Sequence, residues 1–597
     1  MLVPLLAALA APAIVPQEPL GGVGGTQIEF YGETVETIGD VDGDGIDDVL
    51  VGAPEYVPPT SFVRTGRAEV LSGATLASPI PTRIYELFGP FGGCAGAPGQ
   101  SNFGSAAAGG RDVTGDGVAD FAVSAYVSGF VSVFDGATGI DVLEGTGFDL
   151  NRSCLQRNGF KLELANIDGD AHADLLVSQV SLAVVGRSRV RVYSGASIAN
   201  PGASGPQELY SRPSPVINDD FGTALAVLGD VDGDGLDDFA VGAPRTTSTW
   251  PGGSVAVVSG ASGSILHRFG PAAGGFRFGA SLAIVEDLDG DGVPDLAIGD
   301  PPGPASGSQG SVEVVSGAWI ASAGAMGTRT LFTAAPSGGP TIAQFGLDLE
   351  CADVNDDGFP DLLASRMDDG VLGWDVVSGR SGETMWSFTT EQGAGPPHRP
   401  AAATVSVGSA VRFVLGAPND RSADASRPEG YGFAYVVRAH DAAGRSEALG
   451  VGCPCGNDDA AAGCANSTGA GARLAPERGT VSLAGGALEL LTTGLPPNAF
   501  GLLIGGMPST PQPVQNGLLG LTGPIRTAPG QANPSGQVIT SGDLLGDLAA
   551  LAPSFGATAP MVGVPFALQF AYRDADCSGA STPALNLSNA YVVVPRP

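Results

Sequence analysis

The sequence predicts an all-β protein, with a seven-bladed β-propeller followed by a small β-sandwich. An acidic nine-residue loop recurs six times, at intervals of 54 to 72 residues, which indicates a repeat architecture. Each unit carries four short β-type runs separated by turn residues, and four-stranded units arranged around an axis form a propeller. β-type runs return near the C-terminus, and helical periodicity is weak throughout.

The clearest copy of the loop is Asp230–Asp238, with the sequence DVDGDGLDD. Its carboxylates at positions 1, 3, 5 and 9 would repel one another unless a cation lay between them. Calcium binds about six to eight oxygen ligands in a flexible geometry, and Gly235 at position 6 permits the sharp turn that such a loop needs. Because β-type runs flank the loop and the position-12 Glu of an EF-hand is missing, the sequence predicts a calcium loop in a β-hairpin.

Five further stretches align with this loop. In chain order, the six predicted ligand sets at positions 1, 3, 5 and 9 are Asp40, Asp42, Asp44 and Asp48; Asp112, Thr114, Asp116 and Asp120; Asn166, Asp168, Asp170 and Asp174; Asp230, Asp232, Asp234 and Asp238; Asp287, Asp289, Asp291 and Asp295; and Asp353, Asn355, Asp357 and Asp361. We therefore expect up to six structural Ca²⁺ ions. Loops one, four and five have complete carboxylate sets. Loop three has Asn166 at position 1 and Ala171 where Gly is favoured, so we expect it to bind most weakly.

Other landmarks recur in phase with the loops. A Phe-Gly pair precedes most loops, as at Phe221-Gly222, and Gly-Ala-Pro or a relic of it follows, as at 242–244. Two further β-type runs complete each unit. A seventh unit keeps the run Phe413–Pro418 but has lost the acidic residues before it. These units predict seven blades over residues 28–447.

The combined pattern of Phe-Gly, DxDGDGxxD and Gly-Ala-Pro resembles the FG-GAP repeats of integrin α-subunit β-propellers and of many secreted bacterial proteins. The resemblance covers about residues 28–447. It implies a calcium-bearing propeller that binds an extracellular protein or glycan in adhesion or recognition. In integrin-like propellers the metal hairpins lie on one face and partners bind the other. Exposed aromatic and Arg side chains are the usual anchors of such contacts, and the candidates in the loops opposite the metal hairpins are Tyr56, Phe62, Arg64, Phe91, Arg157, Arg245, Trp250, Phe276, Arg277 and Arg366.

The remainder of the chain divides into a Cys-containing linker over 448–479 and a β-sandwich over 480–597. The predicted strands of the sandwich cover residues 480–483, 487–491, 500–504, 566–572 and 585–594. The CPCGN and GCANSTGAGARL stretches at its start and the YRDADCSG and NLSNAYVVV stretches at its end are similar to a C-terminal module of secreted bacterial FG-GAP proteins. The role of this sandwich is left open by the sequence.

Seven cysteines suggest both disulfides and a thiol. Cys94 and Cys154 lie in equivalent loops of neighbouring units, and a disulfide between them is plausible. Cys351 lies in a strand pattern, where we expect a buried thiol. The other four cysteines are expected to form two disulfides of undecided connectivity, and a zinc site is the competing interpretation; they are Cys453, Cys455, Cys464 and Cys577.

The N-terminal stretch 1–16 is apolar and too short to span a bilayer. It suits the hydrophobic region of a signal peptide, with Ala8-Leu9-Ala10 as the cleavage site, although an ordinary apolar N-terminus is the alternative. No other stretch resembles a transmembrane helix. We therefore expect a secreted or cell-surface protein, where millimolar calcium would fill even weak sites.

The charge and the residue types exclude some functions. The formal net charge is −34 and Lys161 is the only lysine, whereas nucleic-acid binding needs clustered basic residues. None of the four histidines falls in a metalloprotease motif, and no nucleophile motif precedes a helix. We therefore expect a binding protein rather than an enzyme. The alternative is a polysaccharide lyase or hydrolase built on an FG-GAP propeller. The oligomeric state is not indicated.

Overall fold

The structure is a computed structural model, and it describes residues 13–14, 30–58, 63–76, 81–89, 100–144, 156–181, 187–201, 205–245, 247–272, 275–302, 309–322, 329–336, 344–354, 359–368, 371–382, 384–389, 401–407, 410–417, 433–438, 445–447, 473–479, 488–493, 495–514, 517–531, 538–542, 566–574, 584–587 and 590–593. The chain divides into two compact units. The first comprises Met1–Ala352, Leu362–Gly382 and Ser387–Val437, and the second comprises Asp353–Asp361, Glu383–Trp386 and Arg438–Pro597.

The repeats are built almost entirely from short strands. In chain order the strands are β1 (Ala13–Ile14), β2 (Thr34–Gly39), β3 (Asp48–Ala53), β4 (Arg64–Leu71), β5 (Arg83–Phe88), β6 (Gln100–Arg111), β7 (Asp120–Ala125), β8 (Phe130–Phe134), β9 (Gln156–Ala165), β10 (Asp174–Ser181), β11 (Arg189–Tyr193), β12 (Glu208–Pro213), β13 (Leu225–Gly229), β14 (Asp238–Ala243), β15 (Ser254–Val258), β16 (Ile265–Phe269), β17 (Leu282–Val285), β18 (Asp295–Asp300), β19 (Ser311–Val315), β20 (Thr330–Ala334), β21 (Leu349–Ala352), β22 (Asp361–Asp368), β23 (Val371–Val377), β24 (Thr384–Thr389), β25 (Ala401–Val407), β26 (Ala410–Ala417) and β27 (Phe433–Arg438). Single helical turns follow three of the third strands, and they are a 3₁₀ turn at Gly73–Thr75, α1 (Gly195–Ala199) and α2 (Gly317–Ala321).

Strands that follow one another in the chain are neighbours in the sheets. Four sheets have four strands each in chain order, namely β9 to β12, β13 to β16, β17 to β20 and β21 to β24. The first two repeats share one sheet, because β4 pairs in parallel with β6 at Arg64↔Gln100 and Gly66↔Phe103. The seventh repeat contributes β25, β26 and β27, and the short strand β1 pairs with β27 at its edge. This strand–turn–strand order is that of propeller blades.

The middle strands of each repeat are apolar because they are covered on both faces. In the fourth repeat every residue of β14 and β15 is buried, while β16 is only partly buried. Phe239 and Val241 pack with the preceding repeat, in a cluster that includes Leu176 of β10. Ala240 instead packs with the following repeat, in a cluster that includes Ile298 of β18. Alternate residues of one strand therefore bind the two neighbouring repeats together.

The Phe-Gly and Gly-Ala-Pro motifs meet at the junctions between repeats. A Cβ atom added to Gly242 would lie 2.0 Å from the carbonyl oxygen of Gly279 in the next repeat, so only glycine permits this approach. Gly52 and Gly299 have the same relation to the glycine of the following Phe-Gly pair. Gly416 approaches Gly32 in the same way, and this contact brings the last repeat against the first. The Phe residues of these pairs are fully buried, and each burial contributes about 1.5–3 kcal/mol; they are Phe103, Phe221, Phe278 and Phe345.

The C-terminal unit also consists of sheets. Its strands are β28 (Arg445–Glu447), β29 (Arg473–Gly479), β30 (Leu488–Thr493), β31 (Phe500–Val514), β32 (Gly517–Gln531), β33 (Val538–Gly542), β34 (Phe566–Asp574), β35 (Ala584–Leu587) and β36 (Ala590–Val593). One sheet has the order β28-β36-β34-β31-β32, with β35 paired to β34, and the other has the order β29-β30-β33. Two sheets of this kind fit the predicted sandwich.

The predicted all-β propeller class is confirmed, while the number of blades and the domain limits stay predictions. At the predicted end of the propeller, Arg445–Glu447 pairs with β36. Of the predicted signal peptide, the structure describes only Ala13–Ile14, so its cleavage stays a prediction. Within the described residues no helix is long and apolar enough to cross a membrane.

Candidate metal centres

Each predicted metal loop joins the first two strands of its repeat. In the fourth repeat the loop starts after Gly229, the last residue of β13, and Asp238 at position 9 is the first residue of β14. Gly229 pairs directly with Asp238 after an irregularity in the register, so the loop is closed at its base by the sheet. The loop is therefore held by a rigid hairpin, as the sequence predicted.

The carboxylate at position 1 organises the backbone of the loop. Asp230 accepts hydrogen bonds from the N–H groups of Gly233, Asp234 and Gly235, at 2.6, 3.0 and 2.8 Å. Gly233 and Gly235 have φ values of 84° and 91°, which explains why glycine occupies positions 4 and 6. Loops one and five repeat all three hydrogen bonds with Asp40 and Asp287 as acceptors. The local sequence thus folds the loop around its first carboxylate.

The carboxylate at position 9 is buried at the base of the loop. In loop four, Asp238 Oδ2 accepts from the N–H groups of Val231 and Asp232 at 3.0 and 3.1 Å, and Oδ1 accepts from Gly260 at 2.9 Å. Burial raises the pKa of this carboxyl despite the three hydrogen bonds. Burial likewise raises the pKa of the corresponding carboxyls to about 6 in Asp48, Asp174 and Asp295. A neighbouring cation would offset this desolvation, because an opposite charge favours the ionised form.

Three loops bring carboxylate oxygens close enough together to share one cation. In each group the ligand atoms all lie within 4.8 Å of one another, and the groups are Asp40, Asp42 and Asp48; Asp230, Asp232 and Asp234; and Asp287, Asp289 and Asp291. These are loops one, four and five, the three with complete carboxylate sets. The donors are exclusively oxygens, which suits a hard cation such as calcium rather than zinc or copper. The residues present therefore fit a calcium ion.

The remaining loops depart from this arrangement in ways that follow from their sequences. In loop two, Thr114 replaces a carboxylate at position 3, so this loop has one negative charge fewer at its ligand positions than loop four. In loop three, Asn166 Oδ1 accepts only the N–H of Gly169, at 3.0 Å, where Asp230 accepts three such groups. Of loop six, Asp353 and Asp361 are described, whereas the predicted ligands Asn355 and Asp357 lie outside the described residues.

A second group of carboxylates lies on the first strands of three repeats, and the sequence analysis missed it. Burial and the neighbouring carboxylate of Glu163 raise the pKa of Glu36 to about 8, and burial raises the pKa of Glu163 to about 7. The pKa of Glu350 is well above its usual value for the same reasons, since Glu36 and Asp348 lie near it. Lys161 lowers all three pKa values. In the sequence, this carboxylate group could have been recognised from the charged residues within the otherwise apolar first strands.

Some of the predicted partner-binding residues lie at the strand ends opposite the metal loops. Because β14 runs away from loop four and β15 returns, residues 244–245 and 247–253 lie at this opposite end, which we call the far end. Arg245 has a 59% exposed side chain and lies 3.7 Å from Asp220. Phe276, in the connection to the next repeat, is 39% exposed. Trp250 is partly buried, with the guanidinium of Arg268 5.5 Å from its ring.

Several other candidates are buried, lie in strands or pair with an acidic residue, although the Arg64 side chain is 45% exposed. Arg366 was wrongly placed in a loop, because β22 continues through it and its buried side chain pairs with Asp375 at 3.1 Å. Tyr56 is buried with the guanidinium of Arg67 4.9 Å from its ring. Arg64 pairs with Glu55, and Arg157 lies in β9. Phe62 and Phe91 lie outside the described residues, as do all the cysteines except Cys351, which is a partly buried thiol.

The two described histidines make structural contacts. His172, at position 7 of loop three, places Nδ1 2.8 Å from the carbonyl oxygen of Val113. The ring of His267 stacks on Phe269 at 5.3 Å and meets Trp319 edge-on at 5.0 Å, and burial lowers its pKa. Each histidine therefore contacts a neighbouring repeat.

Known families match the repeats directly. The FG-GAP repeat model matches residues 32–70, 221–258 and 278–315. Integrin alpha-4 of Xenopus laevis is 33% identical over 145 residues, integrin alpha-V of Gallus gallus 34% over 161, and integrin alpha-IIb of Homo sapiens 36% over 155. These matches cover 23% to 26% of this chain but only 13% to 15% of the relatives.

One solved structure resembles the chain only loosely. The crystal structure of the V. cholerae biofilm matrix protein Bap1 aligns with a TM-score of 0.35 and 11% sequence identity, over 69% of this chain and 88% of that one. A score this low carries no argument about fold or function, and the proposed similarity of the C-terminal module stays a prediction. The chain contains FG-GAP repeats and is similar to integrin α subunits over about a quarter of its length.

Proposed function

We propose that this protein is a secreted or cell-surface propeller that holds structural calcium ions and binds an extracellular protein or glycan. The convergence of three carboxylate groups in loops one, four and five supports the calcium part. The similarity to integrin α subunits supports a role in extracellular recognition. The chain spans less than a sixth of the length of those relatives, so the partners of integrins are not assigned to it.

Calcium acts here as a structural ion that ties each hairpin together. In a filled loop, the carboxylates at positions 1, 3 and 5 and the buried carboxylate at position 9 would coordinate the same ion. Loops two, three and six would bind calcium more weakly, because Thr114, Asn166 and Asn355 each replace a carboxylate ligand. Every predicted ligand is used by the ion, and a catalytic metal needs an open coordination position.

The far end is the better candidate for partner binding. At the metal-loop end, the acidic side chains surround ions and offer little for recognition. At the far end, Arg245 is exposed on the connection between β14 and β15, and Phe276 is exposed on the connection to the next repeat. Arg and aromatic side chains of this kind commonly anchor interfaces. Trp250 adds an aromatic surface beside them, although its contact with Arg268 gives it a structural role as well.

Replacement of Arg245 by Ala is expected to weaken attachment to the partner at least about tenfold, because an interface anchor of this type contributes about 2 kcal/mol. Trp250→Ala is expected to do the same. The purified protein is first screened on a glycan array and on a panel of extracellular-matrix proteins, with calcium and with EGTA. Binding to the positive surface is then measured for both variants, together with melting and calcium content.

Asp47→Ala is the control, because Asp47 is an exposed residue of loop one at the metal-loop end that is not a predicted ligand. Its binding should equal that of the native protein. Loss of binding in Asp47→Ala with unchanged binding in both far-end variants would show that the partner uses the metal-loop end. Shortened glycan products on the array would instead favour the alternative, a polysaccharide lyase or hydrolase.

A further inference from the structure

Hydrogen bonds connect the metal loops of the second, third and fourth repeats. The N–H of Ala173, at position 8 of loop three, donates to the carbonyl oxygen of Asp112, at position 1 of loop two, at 2.8 Å. The N–H of Asp237, at position 8 of loop four, donates to the carbonyl oxygen of Asn166, at position 1 of loop three, at 2.9 Å. The same two positions therefore join each loop to the one before it.

Side chains strengthen both connections. Asp237 Oδ2 accepts from the N–H of Asn166 at 2.8 Å and pairs with Arg111 at 3.0 Å, and only 18% of the Asp237 side chain is exposed. Arg111 directly precedes loop two, so one carboxylate of loop four contacts both preceding loops. His172 of loop three packs over loop two, where a Cβ atom on Gly115 would lie 2.6 Å from its Cε1 atom.

The connection cannot continue to loop five. Position 8 of loop five is Pro294, and proline has no N–H to donate to Asp230 of loop four. Loop six has Pro360 at the same position. The chain thus contains a linked trio of loops and, in loop five, a complete loop that lacks this donor.

We propose that loops two, three and four bind calcium as a coupled group, while loop five binds independently; this rests on the proposed binding of calcium. Position 1 supplies a ligand, and position 8 lies between the ligating carbonyl of position 7 and the carboxylate of position 9. An ion that orders one loop therefore fixes a peptide group that the next loop uses. The second ion has less conformational entropy to remove, which is positive coupling.

Loop three gains most from this arrangement. It lacks the carboxylate at position 1 and the glycine at position 6, so by itself it should bind weakly. Asp237 holds the backbone of Asn166, and Ala173 holds the other end of loop three against loop two. Asp237 is thus a positioning residue for a neighbouring metal site and not one of the predicted ligands.

Replacement of Asp237 by Asn tests the coupling, because every predicted ligand is retained. Calorimetric titration with calcium should show at least a fivefold weaker affinity at two or more sites, because fivefold is the lower end of typical coupling between sites. Native mass spectrometry should count the same number of bound ions or fewer. Asp47→Asn, the same position in loop one, should leave all constants within about twofold. Melting in EGTA should be equal for the three proteins, which separates positioning from a general structural defect.

A second pair of variants tests the coupling without Asp237. Asp232→Ala removes a ligand of loop four and should weaken the remaining sites of the trio, whereas Asp289→Ala removes the equivalent ligand of loop five and should cost one ion only. The coupling is overturned if the native protein binds calcium but Asp237→Asn and Asp232→Ala leave all the other constants unchanged. Absence of calcium binding by the native protein would overturn the proposed function itself.

Discussion

Removal of calcium with EGTA is expected to lower the melting temperature of the propeller by about 10 °C. A site saturated at 100 times its dissociation constant stabilises the folded state by about 2.7 kcal/mol. Loops one, four and five, each with a complete carboxylate set, would together supply about 8 kcal/mol. Chelation also leaves buried position-9 carboxylates, such as Asp48 and Asp295, without a nearby cation.

Scanning calorimetry in millimolar calcium, in EGTA, and after calcium is added back measures this shift. The control is the triple variant Asp42→Ala, Asp232→Ala and Asp289→Ala, which removes one ligand of each complete loop and keeps the position-1 carboxylate that organises its backbone. It should melt near the temperature of the chelated native protein and respond little to EGTA. Identical melting of the native protein with and without calcium would mean that the loops do not stabilise the fold through calcium.

Replacement of Gly242 by Ala is expected to destabilise the propeller by about 3 kcal/mol or more, at the upper end of the range for overpacked sites. The added Cβ would lie 2.0 Å from the carbonyl oxygen of Gly279, and backbone atoms on both sides cannot move away as a flexible side chain would. The two repeats would have to separate, which would disturb the packing of Phe278.

Gly235→Ala is the matched control, because it also adds one methyl group in the same repeat. Its Cβ would meet nothing within 4 Å, so only the strain of a φ of +91° remains, about 1–2 kcal/mol. Urea unfolding of both variants in EGTA compares them without a contribution from calcium. A smaller loss of stability in Gly242→Ala than in Gly235→Ala would contradict the close approach of the repeats.

The local features of the fold could be predicted from the sequence because they depend on neighbouring residues. The loop around Asp230 needs carboxylates and glycines at fixed positions within nine residues, and this spacing is visible without a structure. The Phe-Gly pairs were visible as repeats. The structural role of these pairs was not visible, because the approach of Gly242 to Gly279 joins separate repeats and depends on how the sheets pack.

The features that were missed depend on distant contacts or on strand length. Nothing in the sequence pairs Arg111 with Asp237, which lie in different repeats. Arg366 was assigned to a loop because β3, β7, β14 and β18 end after six residues, whereas β22, like β10, continues for eight. The contact of Trp250 with Arg268 likewise depends on how the connection before β15 packs beside β16 in the folded sheet.

The number of calcium ions held by the intact protein tests the central claim most directly. Native mass spectrometry during a calcium titration counts the ions, and single variants such as Asp168→Ala and Asp232→Ala assign them to loops three and four. The account predicts at least three ions at millimolar calcium, with loop four filled before loop three. A native protein that carries no calcium at that concentration would contradict it, and a loop three filled before loop four would contradict the predicted order.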